Sequence, residues 1–317
     1  MPDSPFDVIT LGRVGIDLYP EESGKALSEV TRFSRFLGGS PTNVAVAAAR
    51  HGLRAAVITR TGSDPFAPFV HDELRRLDVD TRFVASVADA RTTIAFCELH
   101  PPDHFPLYFV RDEVPPELHI RADELDLDTI RDCRLFWSTL TGMARASSFD
   151  AHVAAWEARR GRLCAVDLDY RPVYWDDART AARAGMAAIE ANSVVIANVD
   201  ECAVVLGTDT ADAAVDALLE RGVEIAVVKR GPRGVLIASA EERCDVAPTP
   251  VDVVNGLGAG DAFGGALCAA LLSGWGVEKA ARFASAAGAI VAGRLECASA
   301  MPTTAEVFAA MEGTPER

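Results

Sequence analysis

The chain has 317 residues, 49% of them hydrophobic, and a formal net charge of −15, so it can bury a large core as one α/β domain or as two smaller units. The acidic charge opposes binding to nucleic acid or to an anionic membrane surface. No stretch is long and apolar enough to span a membrane, and residues 1–4 lack the basic start of a signal peptide, so we expect a cytoplasmic protein. The seven cysteines are scattered without a close pair, which favours buried thiols over disulfides or metal ligands.

Two segments that are not typical of an α/β core interrupt the N-terminal part of the chain. Residues 6–11 predict a buried strand, and the alanine-rich residues 41–51 predict a helix. Between them, residues 13–36 alternate polar and apolar positions. Residues 91–112 contain two strand-like runs around a proline-rich turn, which is typical of a hairpin. We expect both excursions to form a small β lid over one end of the core, or a surface that pairs two copies of the chain, and we expect a homodimer through this sheet.

The C-terminal half alternates short β-type runs with longer helical segments. Residues 163–168 predict a strand and 177–191 a helix; residues 194–197 predict the next strand and 199–206 the next helix, before a further strand at 225–229. Strands separated by helices favour a mainly parallel sheet with helices on both faces. Because the chain has no internal repeat, low-complexity segment or linker, we expect a single α/β domain over its whole length.

A glycine-rich segment near the C-terminus carries the strongest chemical signal. The apolar run 251–254 is strand-like, and it leads through a glycine-rich turn into a helix whose first turn contains Asp261. Glycines leave backbone N–H groups uncovered, and a helix N-terminus adds partial positive charge, so the turn suits a phosphate group. An acid beside such a turn is useful where it accepts a proton while the amides hold a phosphoryl group in transfer.

Two other interpretations apply to this turn. Residues 258–260 can simply let a helix pack closely on a strand, with Asp261 as an ordinary first-turn acid favoured by the helix dipole. A dinucleotide-binding loop needs glycine or alanine at its third conserved position, but that position falls on Asp261 when counted from Gly256 and on Phe263 when counted from Gly258. The sequence therefore disfavours a nicotinamide-binding protein.

Four motifs, in this order along the chain, resemble those of the ribokinase-like, PfkB-type carbohydrate kinases. Residues 37–45 (LGGSPTNVA) and 258–261 (GAGD) resemble the two signatures of that family. Residues 198–201 (NVDE) are similar to its N-x-x-E motif, and residues 229–234 (KRGPRG) to its K-x-G-x-x-G turn. The likeness covers nearly the whole chain. It implies an enzyme dependent on ATP and Mg²⁺, with a ribokinase-like three-layer core, a mainly parallel sheet between helices, and a small β lid.

The resemblance implies catalytic roles at the glycine-rich turn. Asp261 would accept a proton from a sugar hydroxyl as the hydroxyl attacks the γ-phosphate, and Gly258, Ala259 and Gly260 would form the anion hole. We expect the Asp261 carboxylate to stay ionised. We also expect a bulky residue at Gly260 to obstruct the phosphate and to be incompatible with the local backbone.

The sequence departs from the family immediately before this turn. Asn255, Gly256 and Leu257 stand where relatives usually have acidic and threonine residues. Those positions often help to form a monovalent cation site in relatives. Because of this departure, the sequence does not decide whether potassium activates the protein.

The resemblance also assigns residues to the metal and to the nucleotide. Asn198 and Glu201 would act around Mg²⁺ through water, since that ion keeps part of its hydration shell. The same two residues have the spacing of a helix capping box, and both roles can hold at once. The residues assigned to the nucleotide are Lys229, Gly231, Gly234 and Ser285. For Ser285, buried helix packing is the alternative.

Residues 11–19 and 167–175 resemble the branch of the family that phosphorylates keto-deoxy sugar acids. The expected substrate is 5-dehydro-2-deoxygluconate of inositol catabolism, with 2-keto-3-deoxygluconate, ribose or fructose as alternatives. Arg171 follows a predicted strand end, where α/β sheets bind ligands, and arginine can hold a carboxylate by two parallel hydrogen bonds. The residues implied to bind the sugar are Asp17, Gly38, Gly39, Asn43, Arg111 and Arg171. The alternatives are a surface ion pair for each arginine, including Arg13, and a strand-end cap for Asp17.

A protein that binds a nucleotide or sugar without turnover is the alternative from another class, because a fold does not determine a function. The presence of Asp261 together with all three anion-hole residues argues against a sensor of that kind. The expected partners are therefore small molecules, ATP and a sugar acid.

Overall fold

Two β-sheets organise the protein in this computed structural model, which describes residues 5–312. Residues 1–4, on which the expectation about a signal peptide rests, and residues 313–317 lie outside the described range. In chain order the strands are β1 (Val8–Leu11), β2 (Gly15–Pro20), β3 (Phe33–Gly38), β4 (Ala55–Gly62), β5 (Val79–Asp80), β6 (Val84–Val87), β7 (Ile94–Cys97), β8 (Leu107–Val110), β9 (Leu135–Thr139), β10 (Cys164–Asp167), β11 (Val194–Asn198), β12 (Ile225–Lys229), β13 (Val235–Ala238) and β14 (Arg243–Val246).

The larger sheet has the strand order β14-β13-β12-β11-β10-β9-β1-β4-β5, with β6 also paired to β4. All pairs from β12 to β5 are parallel, and only β13 and β14 add antiparallel edges. Successive side chains of a strand point to opposite faces. In β1, Val8 enters one hydrophobic core and Ile9 the other, each fully buried. The predicted α/β fold with a mainly parallel sheet is confirmed.

Helices cover both faces of the larger sheet. In chain order they are α1 (Ser40–Arg50), α2 (Ala67–Arg76), α3 (Leu127–Asp132), α4 (Ala146–Ala158), α5 (Ala178–Ala191), α6 (Val199–Leu206), α7 (Ala211–Glu220), α8 (Ala259–Leu272), α9 (Val277–Ala292) and α10 (Thr304–Glu312). Helices α1, α2, α8, α9 and α10 pack on one face and α3 to α7 on the other, which completes the three layers. Within residues 5–312, none of the helices combines the length and apolar character needed to cross a membrane.

The apolar run 251–254 is not a strand, so that prediction is wrong. Val251 and Val254 are 39% and 43% exposed. The amides of Val254 and Asn255 both donate to the carbonyl of Ala292, at the end of α9. A β-branched composition favours a strand only where a neighbouring strand supplies cross-strand partners. Here the segment is attached to a helix end instead, and it enters the glycine turn as a loop.

Two adjacent glycines let α8 approach its neighbours closely, at Gly265 towards α1 and at Gly264 towards β9. A Cβ at Gly265 would overlap Ala47 of α1, and a Cβ at Gly264 would lie 2.7 Å from the ring of Trp137. Only glycine permits these approaches. Ser40, at the start of α1, contacts Asp261, at the start of α8. The two helices therefore run in the same direction, and their N-termini lie side by side.

A second sheet of four strands, in the order β3-β2-β7-β8, is formed by the two excursions that the sequence analysis singled out. Strands β7 and β8 form the predicted hairpin, and β2 pairs antiparallel with β3 and parallel with β7. Side chains from this sheet, including Asp17, Tyr19 and Phe109, line a cavity at one end of the core.

Candidate active site

The cavity lies where three central strands end. Asp167, Asn198 and Lys229 are the last residues of β10, β11 and β12, and all three line the cavity. The carboxyl edge of a parallel sheet is the usual ligand site of open α/β folds. The predicted site residues that the cavity brings together are Asp17, Gly39, Asn43, Arg171, Asn198, Glu201, Lys229, Gly258, Gly260 and Asp261.

The Asp261 carboxylate is held by the first turn of α1. Ser40 Oγ donates to Oδ1 at 2.6 Å, and Asn43 Nδ2 donates to Oδ2 at 2.8 Å. Asn43, predicted to bind sugar hydroxyls, thus uses its amide N–H to position Asp261. Its own Oδ1 is buried and has no hydrogen-bond partner among the described residues.

Burial in the cavity wall raises the pKa of Asp261 to about 7. The hydrogen bonds from Ser40 and Asn43 lower this pKa, and the nearby carboxylates of Asp169 and Asp167 raise it. A group whose pKa equals the ambient pH is about half protonated. The expectation that Asp261 stays ionised is therefore wrong for this structure near pH 7.

The glycine turn ends in a left-handed residue that begins α8. Gly258 is the N-cap of α8, with φ 80°, and a Cβ there would lie 2.8 Å from Cys297 Sγ. The amides that follow have no intrahelical acceptor, and they lie at the positive end of the helix dipole. A Cβ at Gly260 would lie 3.6 Å from Lys229 Nζ, and its backbone is not left-handed. The prediction that a bulky residue at Gly260 is incompatible with the local backbone is wrong; that incompatibility applies to Gly258. A side chain at Gly260 would instead enter the cavity.

Charged groups crowd the cavity wall, with carboxyls in excess. Lys229 Nζ pairs with Asp167 Oδ2 at 2.8 Å. Arg171 Nε pairs with Asp169 Oδ1 at 3.0 Å, and Arg13 Nη2 lies 3.5 Å from Asp169 Oδ2. Burial would raise the pKa of Asp169, but Arg171 and Arg13 hold it below its usual value. The lining carries five carboxyls (Asp17, Asp167, Asp169, Glu201 and Asp261) against three cations (Arg13, Arg171 and Lys229).

Asn198 and Glu201 form a complete capping box at the start of α6. The Asn198 N–H donates to Glu201 Oε2 at 2.7 Å, and the Glu201 N–H donates to Asn198 Oδ1 at 2.8 Å. Burial raises the pKa of Glu201 to about 7; Lys229 lowers it, and Asp167 and Asp169 raise it. Oxygen donors within an excess of carboxylates fit a hard divalent cation, so the capping role does not preclude the metal role.

Two glycines make room at the end of the cavity that the four-stranded sheet lines. A Cβ at Gly38 would overlap the carboxylate of Asp17, and one at Gly39, where φ is 102°, would lie 2.5 Å from the carbonyl of Arg13. Asp17 accepts a hydrogen bond from the Tyr19 hydroxyl at 2.8 Å. Burial raises the pKa of Asp17 to about 6, although Tyr19 and Arg13 lower it. Gly38 itself does not line the cavity; it lets the carboxylate of Asp17 lie there.

The structure does not bring every predicted residue to the cavity. Arg111 donates to backbone carbonyls, including that of Val173 at 2.6 Å, and stacks over Tyr174 with 4.8 Å to the ring centroid. Arg13 stacks over the same ring at 5.0 Å and does line the cavity. Besides Gly38, the other predicted site residues outside the lining are Gly231 and Gly234, in the turn from β12 to β13, Ser285 on α9, and Ala259, the first residue of α8.

Sequence reasoning missed several residues that shape the cavity. Asp167 and Asp169 lie at the same strand end that drew attention to Arg171, so the rule that ligands bind at strand ends indicates them as well. Ser40 opens a predicted helix and carried no separate signal. Tyr19 and Cys297 are 278 positions apart, and nothing local in the sequence pairs them.

Comparisons with known proteins give three findings. The sequence profile of the "pfkB family carbohydrate kinase" matches residues 6–304. Proteins named 5-dehydro-2-deoxygluconokinase are 30% identical over 311 residues in Listeria innocua and 31% identical over 312 residues in Listeria monocytogenes serotype 4b, each alignment covering 96% of this chain and 95% of the relative. A putative ribokinase II from E. coli, solved in complex with ATP and Mg²⁺, shares the fold with a TM-score of 0.89 at 22% identity, covering 98% of this chain and 100% of that one.

The raised pKa of Asp261 makes a prediction about stability. A carboxyl that binds its proton more tightly when folded stabilises the fold below its unfolded pKa, and this contribution is lost as the pH rises through about 7. An asparagine at position 261 has no carboxyl group and does not titrate in this pH range. The difference in Tm, Asp261→Asn minus wild type, should therefore increase by about 2 °C or more between pH 5 and pH 8, measured by differential scanning fluorimetry. Asp252→Asn, at an exposed position, is the control. A difference that is independent of pH would contradict the raised pKa.

Proposed function

The chain belongs to the pfkB family of carbohydrate kinases, and from this premise we propose that it transfers the γ-phosphate of ATP to a terminal hydroxyl of a small keto-deoxy sugar acid in the cytoplasm. The proposed substrate is 5-dehydro-2-deoxy-D-gluconate, an intermediate of inositol catabolism. The names of the relatives from Listeria support this substrate. The observation that carries the proposal is the Asp261 carboxylate, held by Ser40 and Asn43 at the N-terminus of α8 and facing the same cavity as Arg171.

The arrangement accounts for the chemistry of phosphoryl transfer. An ionised Asp261 accepts the proton of the sugar hydroxyl while that oxygen bonds to the γ-phosphorus and the bond to the ADP oxygen breaks. The free amides of residues 258–260 are fixed dipoles, and they stabilise the charge on the transferring group without reorganising. A base with a pKa of about 7 is stronger than an ordinary carboxylate and is still about half ionised at neutral pH.

Mg²⁺, held by Glu201 and Asn198 through water, would supply charge neutralisation for the phosphates. The excess of carboxyls over cations in the cavity supports this role, because an anionic nucleotide needs a counter-charge there. Lys229 Nζ is paired with Asp167 Oδ2 at 2.8 Å. In the protein without nucleotide, the lysine charge therefore neutralises this carboxylate of the cavity wall.

Arg171 supports an acid as the substrate. Only its Nε is used by Asp169, and its side chain is 46% exposed, so the two terminal nitrogens remain for a planar, bidentate contact with a carboxylate. Arg13 also contacts Asp169, at 3.5 Å, and is buried. 2-Keto-3-deoxygluconate fits the same chemistry. Ribose and fructose lack the carboxylate, and a non-catalytic sensor would not need the positioned base.

Asp261→Asn should lower kcat by about 10² or more and leave the dissociation constant for ATP nearly unchanged, because the substitution removes a proton acceptor and little volume. A coupled assay of ADP release measures kcat, and calorimetry measures ATP binding. Asp252→Asn, in the exposed approach to the glycine turn, should retain wild-type values. Near-normal turnover by Asp261→Asn would refute the catalytic assignment.

Arg171→Ala should raise the apparent KM for the keto-deoxy acids about 10-fold or more, since a charge-assisted contact of about 1.5–3 kcal/mol is lost. Turnover of fructose, which has no carboxylate, should be nearly unaffected. Arg171→Lys should recover only part of the loss because a point charge cannot reproduce the planar fork.

Two outcomes would contradict the substrate assignment. An equal loss for acidic and neutral sugars would indicate that Arg171 acts at the nucleotide phosphates. A wild-type preference for ribose, fructose or a nucleoside over every keto-deoxy acid would exclude the sugar acid and leave the kinase assignment intact.

We also propose that the four-stranded sheet is a lid, contributed by about residues 13–36 and 91–112. Its inner face supplies Asp17, Tyr19 and Phe109 to the cavity, and closing it over bound sugar would exclude water from the transferring phosphate. Hydrogen exchange in both segments should slow when the sugar acid saturates the enzyme. Exchange that is unchanged by ligand would leave the sheet with a structural or subunit-pairing role only.

We further propose that the outer face of this sheet pairs two copies of the chain. On the edge strand β8, Tyr108 and Val110 are 63% and 45% exposed, and exposed apolar groups on a sheet edge favour association. Sedimentation velocity should give a species of twice the 33.7 kDa chain mass, and Tyr108→Asp should convert it to monomer. A monomer at every concentration tested would exclude the homodimer.

A further inference from the structure

Tyr19 and Cys297 connect the sugar end of the cavity to the glycine turn. Tyr19 belongs to β2 of the four-stranded sheet, whereas Cys297 lies in the core, just after α9. The Tyr19 hydroxyl is 2.8 Å from Asp17 Oδ2 and 2.8 Å from Cys297 Sγ. Tyr19 is 1% exposed and Cys297 2% exposed. The contact is therefore a buried polar link between the two parts of the protein.

The direction of these hydrogen bonds follows from the number of protons that each of the three groups can donate. A phenol has one proton to donate, and an ionised Asp17 can only accept. Tyr19 therefore donates to Asp17, and the Cys297 thiol donates to the Tyr19 oxygen. Burial raises the pKa of Tyr19 and of Cys297 well above their usual values, so both keep the protons that this chain of donors requires.

The other side of Cys297 lies against the glycine turn. Its Sγ would be 2.8 Å, and its Cβ 2.9 Å, from a Cβ built on Gly258, the residue that begins α8. The thiol thus occupies the space that a side chain at Gly258 would need. A continuous path of contacts runs from Gly258 through Cys297 and Tyr19 to Asp17.

We propose that Tyr19 and Cys297 are positioning residues, which hold the Asp17 carboxylate as an acceptor for sugar hydroxyls at a fixed distance from the anion hole. The inference rests on the proposed function, because it assigns Asp17 to the sugar. Tyr19 uses its only proton on Asp17, so its effect on the substrate is exerted through that carboxylate. Cys297 acts one step further away, through Tyr19.

The groups around Asp17 determine how its ionisation depends on the hydrogen bond from Tyr19. Burial raises the pKa of Asp17, whereas the Tyr19 hydrogen bond and the charge of Arg13 lower it. The thiols of Cys97 and Cys297 lie near the same carboxylate, which contributes to their raised pKa values. Without the phenol, Asp17 would lose one of the two groups that keep it ionised, and one of its oxygens would lose its hydrogen bond.

Tyr19→Phe tests the link because it removes the hydroxyl and keeps the ring, which packs on Phe36 at 5.4 Å. We expect the KM for the sugar to rise about 10-fold or more, since a hydrogen bond to a charged group is lost, with the KM for ATP unchanged. An unchanged KM for the sugar, or equal losses for sugar and ATP, would overturn the proposal.

Cysteine variants test the second step. Cys297→Ala should weaken sugar binding in the same direction but less than Tyr19→Phe, and Cys297→Ser should restore it, because a hydroxyl can donate in place of the thiol. Cys244→Ala, on the edge strand β14, removes a thiol elsewhere and should have no effect. If serine behaves like alanine at position 297, the thiol does not act through its proton and the proposed link is wrong.

One measurement does not depend on turnover. Titration of the Asp17 carboxyl by carbon NMR in the free protein should give a higher pKa in Tyr19→Phe than in wild type. If the wild-type protein phosphorylates no sugar, the proposed function fails, and the NMR titration still decides whether Tyr19 controls Asp17. An identical Asp17 titration in the two proteins would overturn the inference even if the kinase assignment stands.

Discussion

The close contact between α1 and α8 is the constraint on which the rest of the active site depends. Gly265 lets the backbone of α8 approach Ala47, and the two helices run in parallel from the same edge of the sheet. This brings the first turn of α1 within hydrogen-bonding distance of Asp261. It also directs the positive ends of two helix dipoles towards one cavity. A larger residue at Gly265 would separate Asp261 from Ser40 and Asn43, which donate hydrogen bonds to it.

The charge of the cavity wall is the second property on which the site depends. The cavity wall contains more carboxyls than cations, although it has to receive an anionic nucleotide and, in our proposal, an anionic sugar. Arginine and lysine partners keep Asp167 and Asp169 paired. Within residues 5–312, no arginine or lysine forms an ion pair with Asp261 or Glu201, and the pKa values of these two carboxyls rise to about 7. In our proposal, burial and, to a lesser degree, the neighbouring carboxylates make Asp261 a proton acceptor near neutral pH, and the excess of carboxyls suits a divalent cation.

The four-stranded sheet, which we propose is a lid, also supplies side chains to the cavity. It supplies the only carboxylate that we assign to sugar hydroxyls, Asp17, and the absence of a side chain at Gly38 makes room for it. The Tyr19 hydroxyl joins that carboxylate to Cys297 in the core. Motion of the sheet would therefore change the sugar contacts and the surroundings of Gly258 together. In our proposal, this link couples binding of the sugar at Asp17 to the conformation of the anion hole.

The amino-acid sequence by itself determined the features that depend on near neighbours in the chain. The glycine turn before Asp261, the capping box of Asn198 and Glu201, and the position of Arg171 after a strand all arise from residues a few positions apart, so local backbone chemistry specifies them. Only the tertiary structure decided that Asn43 holds Asp261, that Arg111 lies outside the cavity, and that residues 251–254 bind a helix end instead of a strand. The Tyr19–Cys297 contact belongs to the same group. Such contacts depend on how distant elements approach one another, and that approach is determined by packing across the whole core, which no local pattern encodes.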